Sequence, residues 1–222
     1  MEINKLEIKN LTVKFGEKTV FENINLECKS GKIYGIIGYN GCGKSVLFKC
    51  ICGFVNAFSG DVFFDGKKLN NDIRHNIGML IENPAFVEDK SALKNLEYLY
   101  MINNKPDKKY LSKVLEMVGL DPNSKKIVSK FSLGMKQRLG IAQAIMEKPR
   151  LLILDEPMNG LDKDGVRDIR ELLLKLKADG VIILLASHNR EDINILCDKV
   201  YEFDNGHISV LDGVLPKQQN AV

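Results

Sequence analysis

Gly38-Tyr39-Asn40-Gly41-Cys42-Gly43-Lys44-Ser45 decides how the rest of the chain is read. The string has the form G-x-x-x-x-G-K-S. The apolar run from Ile33 to Ile37 precedes it and reads as a buried strand; Lys44 to Cys52 follows and reads as a helix. A strand that delivers a glycine-rich loop to the start of a helix aims free backbone amides at one point, which suits an anion. Gly38, Gly41 and Gly43 let the backbone turn tightly enough for those amides to converge. Lys44 is then expected to reach the β- and γ-phosphates of a nucleotide, and Ser45 to offer its hydroxyl to Mg²⁺. Asn40, Cys42 and Val46 fall within the same expected nucleotide contact.

Outward from this loop, apolar runs mark further strands. Leu151-Leu152-Ile153-Leu154 ends in Asp155, and Val181 to Ala186 ends in Ser187-His188. Runs apolar on both faces belong to a parallel sheet covered on both sides, and the C-terminal ends of such strands share one crevice. Asp155 is therefore the candidate Mg²⁺ carboxylate and Glu156 the candidate general base. His188 is placed to contact the γ-phosphate and position a water. Residues 5 to 15 alternate with a break at Asn10 and read as an edge or half-exposed strand; Ile24 to Cys28 reads as a second. Gly16-Glu17-Lys18 reads as a turn between them, and Lys29-Ser30-Gly31 turns the second into the strand before the phosphate loop, so the opening looks antiparallel, a hairpin-like start beside the nucleotide core. Phe15 is either a base-stacking aromatic or a core residue.

Short strands are expected at Gly60 to Phe64 and at Ile77 to Ile81, the latter ending in Glu82-Asn83-Pro84. Helical patterns follow at Leu93 to Ile102, Tyr110 to Val118 and Met135 to Met146, which predicts a helical lobe at 84–147 inserted into a core of 1–83 and 148–212. Asp164 to Lys177 reads as an amphipathic helix, residues 189 to 197 as a short one, Val200 to Phe203 with His207 to Val210 as a hairpin, and 213–222 as a tail. The fold class is α/β: a P-loop nucleotide-hydrolase core with a parallel sheet, an antiparallel β part and the inserted lobe.

Bulk properties narrow the setting. At 222 residues the chain holds one well-buried core, and a formal net charge of only +3 gives no argument for nucleic acid as a partner. No apolar run approaches the ~20 residues of a bilayer span, and the polar N-terminus is unlike a secretory signal. Five cysteines without a C-x-x-C pair argue against a disulfide framework and for a reducing compartment. Cys42 reads as a small residue in a tight loop, with reactivity near a helix N-terminus as the alternative.

A phosphate loop alone fits many enzymes. Phe131-Ser132-Leu133-Gly134-Met135, continued by Lys136-Gln137-Arg138, resembles the signature segment of the ATP-binding subunits of ABC transporters, with Ser132 and Gly134 kept and Leu133 and Met135 departing from the usual Leu-Ser-Gly-Gly-Gln. The resemblance covers residues 3 to 212. It implies that Ser132 and Gly134 bind the γ-phosphate of ATP held by a second ATP-binding subunit, in a head-to-tail dimer, and that Asn159-Gly160-Leu161-Asp162 crosses the dimer interface with Asp162 as its acid. It makes Phe15 the adenine-stacking aromatic and His188 the switch histidine. Glu82 stands where the family normally has a glutamine that touches Mg²⁺ and the attacking water and faces the membrane partner. Leu80 to Phe86, with Met158 in place of the usual Thr, resembles the bacitracin and lantibiotic exporter branch. The implied function is ATP hydrolysis that powers a membrane transporter through a transmembrane permease subunit, for export of a peptide antibiotic or other amphiphile. Such a subunit lies at the cytoplasmic face of the membrane, held there by its partner. The ATPase of an importer, or a soluble ATPase of the same family with no transport role, stays open at this point. Pro84, Ala85 and Phe86 suggest a docking edge, against the alternative that Phe86 packs lobe onto core.

Overall fold

The structure, a computed structural model, describes residues 4–69, 77–82 and 84–211. The tail expected at 213–222 and Asn83 lie outside them. The described residues form two sheets. The first is antiparallel: β1 (Lys5–Phe15), β2 (Lys18–Lys29), β4 (Ser59–Phe64) and β5 (Lys67–Lys68), in the order β2-β1-β4-β5. The second has the order β10-β9-β3-β8-β7-β6, with β3 (Lys32–Ile37), β6 (Ile77–Leu80), β7 (Leu151–Asp155), β8 (Ile182–Ala186), β9 (Lys199–Asp204) and β10 (His207–Val210). From β9 to β6 its neighbours are parallel, while β9 and β10 make the expected antiparallel hairpin.

Of the two readings of residues 5 to 15, the half-exposed strand holds and the edge strand does not: β1 buries one face but pairs with β2 on one side and β4 on the other. Alternation reports which face of a strand is buried, but not how many neighbours its backbone has. The break at Asn10 is a bulge: its φ is 50° and the register with β2 shifts between Ile8 and Leu11. The extra residue returns Leu11 and Val13 to the buried face of Leu6 and Ile8. The antiparallel, hairpin-like opening is present: β1 pairs antiparallel with β2, from Phe15–Lys18 at the turn to Lys5–Lys29. The turn at Lys29-Ser30-Gly31 then carries the chain from this sheet into β3 of the other.

Helices cover the parallel sheet, and its strands deal their residues alternately to two apolar clusters. Ile33, Leu152, Leu154, Ile183 and Leu185 join a cluster with α2 (Ala92–Tyr100), α3 (Lys108–Met117), α4 (Leu133–Ile145), α5 (Lys163–Ala178) and α6 (Arg190–Leu196). Tyr34, Ile36, Leu151, Ile153, Ile182 and Leu184 join the other, with the antiparallel sheet and α1 (Lys44–Ile51). This is why those strands read as unbroken apolar runs. The helices expected as a lobe thus share an apolar cluster with β7 and β8. α4 lies close on β6: a Cβ on Gly78 would come within 1.9 Å of the Ala144 carbonyl oxygen, so a side chain there would force the helix away. Phe86 is half-buried and packs on this cluster, so it is no exposed anchor.

Candidate functional site

The parallel strands bring their C-terminal ends to one edge of the sheet, and the residues singled out at those ends meet there. β3 runs into the phosphate loop. Gly38 has a φ of 151°, and a Cβ on it would lie 2.4 Å from the Phe203 carbonyl oxygen, so only glycine fits. Gly43 occupies the N-cap position of α1 at φ 121° and supplies no side-chain cap. The first amides of α1 therefore have no side-chain acceptor from the cap position, and together with the helix dipole they suit an anion. Lys44 is 7% exposed, and its ammonium donates within the loop, to Gly38 O at 2.8 Å, Tyr39 O at 3.1 Å and Cys42 Sγ at 3.8 Å. Among the described residues it has no acidic partner within ion-pair distance, so its charge awaits an external anion.

Ser45 and Asp155 come from different elements and touch: Ser45 Oγ donates to Asp155 Oδ2 at 2.6 Å. Glu156 follows in the left-handed region, φ 51°, its N–H donating to Ala186 O at 2.9 Å, so its side chain leaves β7 in a different direction from Asp155. Glu156 Oε2 accepts from the His188 backbone N–H at 3.4 Å. Oε1 lies 3.4 Å from His188 Nε2, close enough for electrostatic contact, yet it is buried without a hydrogen bond. Burial pushes the Glu156 carboxyl above the usual glutamate range; Asp155 adds to this, while His188 and Lys44 oppose it. A half-buried carboxylate at the lining of the hollow, its proton affinity raised by burial, is suited to general-base chemistry.

These groups line a hollow of about 440 Å³ that also includes Asn40, Gly41, Val46 and Glu82. Phe15 lies in a neighbouring hollow with Tyr39, Cys42 and Val46. It is 55% exposed, so the reading as a core aromatic is set aside. Ser132, Gly134 and Asp162 are not brought to the phosphate loop. They line a separate hollow beside Arg138 and Gly160. There Ser132 caps α4 by accepting from Met135 N at 3.3 Å, and Asp162 caps α5 by accepting from Gly165 N at 2.9 Å. The candidate residues therefore line two separate hollows rather than one.

Several contributors escape sequence reasoning. Gln137 Nε2 donates to the Glu156 carbonyl at 3.0 Å and ties α4 to the loop after β7. Its spacing of four from Leu133, which lines the same hollow, was the available signal. Asp192 is fully buried; Arg170 reaches it through Nε at 2.8 Å and Nη2 at 2.6 Å, and Ser187 Oγ donates to its other oxygen at 3.4 Å. This pair fixes α5, α6 and the loop carrying His188 relative to one another. Glu82 pairs with Lys49, a partner 33 residues away with no local signature.

The donor set suits Mg²⁺ bound with a nucleotide. Among the described residues no cluster of three or more His, Cys, Asp or Glu residues is arranged to hold a metal by itself. A hydroxyl and a carboxylate 2.6 Å apart offer only part of a hard cation's oxygen shell, which phosphates and water complete.

Comparison with known proteins agrees with this geometry. The family model described as "ABC transporter" matches residues 21–159. An uncharacterised ABC transporter ATP-binding protein of Bacillus subtilis is 38% identical over 217 residues, 97% of this chain and 100% of that protein. The bacitracin transport ATP-binding protein BcrA of Enterococcus faecalis is 40% identical over 207 residues, 91% of this chain and 67% of its own. The solved structure of a dimeric bacterial ABC transporter cassette superposes with a TM-score of 0.83 at 26% identity, covering 94% of this chain and 99% of that one. With the P-loop core, the converging strand ends and these relatives together, the chain belongs to the ABC transporter family, as an ATP-binding and ATP-hydrolysing subunit.

Proposed function

We propose that this subunit powers export of a peptide antibiotic or similar amphiphile, working in a head-to-tail pair held by a transmembrane permease at the cytoplasmic face of the membrane. The observation that carries the catalytic part is the convergence of Lys44, the Ser45–Asp155 contact and the Glu156–His188 contact on one hollow. In this reading the loop amides and Lys44 hold the β- and γ-phosphates, and Phe15 stacks on the adenine. Glu156 takes a proton from a water. The water oxygen bonds to the γ-phosphorus as the bond to the bridging oxygen breaks, and ADP leaves with that electron pair. His188, whose backbone and ring both approach Glu156, orients the carboxylate and contacts the γ-phosphate. Ser45 and Asp155 would hold Mg²⁺, with Glu82 at the rim, and the bound ion would neutralise phosphate charge.

The second hollow supports pairing, because Ser132, Gly134 and Asp162 surround an anion-suited helix start without a phosphate loop of their own chain. The dimeric cassette among the structural neighbours supports a second ATP-binding subunit. No helix among the described residues is long and apolar enough to cross a membrane, which fits an anchoring permease. The exporter branch rests on BcrA and on a lantibiotic transport ATP-binding protein of Streptococcus pyogenes, 38% identical over 193 residues. The test is Glu156→Gln. ATP binding should persist while turnover falls by about 10²-fold or more. Turnover within about threefold of wild type removes Glu156 as the base. Cells carrying the chain with its permease should lose tolerance to the exported peptide with the same substitution.

A further inference from the structure

Glu82, placed above at the rim of the metal site, forms a charge pair at the wall of the phosphate hollow with Lys49, to which the reaction assigns no task. Lys49 lies on α1 four residues after Ser45, so both side chains leave the same face of the helix one turn apart. Its ammonium is 2.5 Å from Glu82 Oε1. Glu82 sits just beyond β6 at a φ of 58°, a conformation that costs a non-glycine residue and aims its side chain out of the strand's alternation. Glu82 lines the hollow, whereas Lys49 does not. The pair is partly solvated, with side-chain exposures of 32% for Lys49 and 61% for Glu82, so it contributes little to stability. Its consequence is electrostatic. Asp155, Glu156 and Glu82 all line the hollow, against the ammonium of Lys44 and the imidazole of His188. An uncompensated carboxylate at Glu82 would repel a triphosphate.

We propose that Lys49 is a positioning residue for nucleotide binding. It neutralises Glu82 and holds it at the rim, so that the hollow admits a triphosphate. It yields the carboxylate only to the divalent cation that arrives with the nucleotide. The inference rests on reading the hollow as the triphosphate site. Two consequences separate Lys49 from a residue that merely attracts phosphate. Its removal should matter most when no metal is present to take over Glu82, and should cease to matter once Glu82 is neutral.

The experiment is equilibrium titration of ATP onto the full chain, once in EDTA and once in Mg²⁺. Lys49→Met should lose about fivefold to tenfold in affinity for metal-free ATP, the order expected of one uncompensated charge at a partly solvated site. The loss should shrink to less than about twofold in Mg²⁺. Lys49→Arg should stay within about twofold of wild type in both. Lys49→Met combined with Glu82→Gln should bind metal-free ATP like Glu82→Gln alone. Lys49→Gln serves as a second removal if the Met variant melts early. Unchanged metal-free affinity in Lys49→Met overturns the proposal, and so does a loss that persists in the Glu82→Gln background. Lys44→Ala is the separate control. If it binds ATP as wild type does, the reading of the hollow fails, whatever Lys49 does.

Discussion

Replacing Arg170 by Leu should destabilise the protein far more than an ordinary surface salt bridge would suggest. Asp192 is completely buried, Arg170's side chain is 15% exposed, and two of its nitrogens sit 2.6 and 2.8 Å from one Asp192 oxygen. The further contact to Glu191 is at the surface and adds little. Removing the guanidinium leaves a buried carboxylate with one hydroxyl donor, Ser187 Oγ at 3.4 Å. Breaking a buried pair in this way costs about 3–5 kcal/mol. In a chain of this size each kcal/mol shifts Tm by about 2–4 °C, so the fall should be about 6–20 °C. Differential scanning calorimetry at neutral pH measures it. Arg170→Leu combined with Asp192→Leu should recover much of the loss, because no charge is then left in the apolar interior. A drop in Tm of about 3 °C or less for the single variant would refute the reasoning. It would mean that water reaches Asp192 and the pair behaves as an exposed one.

Two further outcomes are expected. Gly78→Ala places a Cβ 1.9 Å from the Ala144 carbonyl and 2.7 Å from Pro149 Cγ, and should cost about 2–3 kcal/mol in urea unfolding, whereas Gly66→Ala meets nothing within 4 Å and pays only for its φ of 73°, about 1 kcal/mol; equal losses would contradict close helix–strand packing as the cause. Because the folded Glu156 carboxyl titrates above its usual value, its contribution to stability is fully present below the unfolded pKa and is lost as pH rises through the raised folded one. Glu156→Gln should therefore melt no lower than wild type at pH 7, lose that advantage below about pH 4.5, and report a functional strain; a variant less stable at pH 7 than at pH 4, relative to wild type, reverses the sign.

The parts of the site that were legible in the sequence are those where one residue follows a strand whose composition announces it. Asp155 ends one run with no polar residue and His188 follows another after Ser187, and only a strand covered on both faces produces such a run. The phosphate loop carries its own local geometry. What escaped depends on partners distant in sequence. β1 shows the same alternation whether it has one neighbour or two. β2 spans Lys18–Lys29, but only Ile24 to Cys28 was readable, because the register shifts around Leu11 and Val13 break its period and bury Phe21 out of phase with Ile24. Lys49 looks like any surface lysine until β6 brings Glu82 alongside it. Phe86 follows a proline in a polar stretch, which resembles an exposed loop, and yet the cluster beneath α4 claims it.

One rung of the parallel sheet fixes how the site can vary. Ile36 pairs with Ala186, and Ala186 with Asp155, so the phosphate loop, the histidine and the paired carboxylates are all counted outward from a single transverse line of backbone. A strand advances about 3.3 Å per residue and reverses its face at each step. Deleting one residue from β7 would carry Asp155 a full step from Ser45, beyond the reach of their 2.6 Å contact, and would turn it to the opposite side. Exchanging Leu152 for Ile would leave the count untouched. The spelling of these strands is thus open to substitution in a way that their length is not: a variant with many altered core letters can still assemble this edge, while one missing a single letter between Leu151 and Asp155 keeps its composition and loses its alignment.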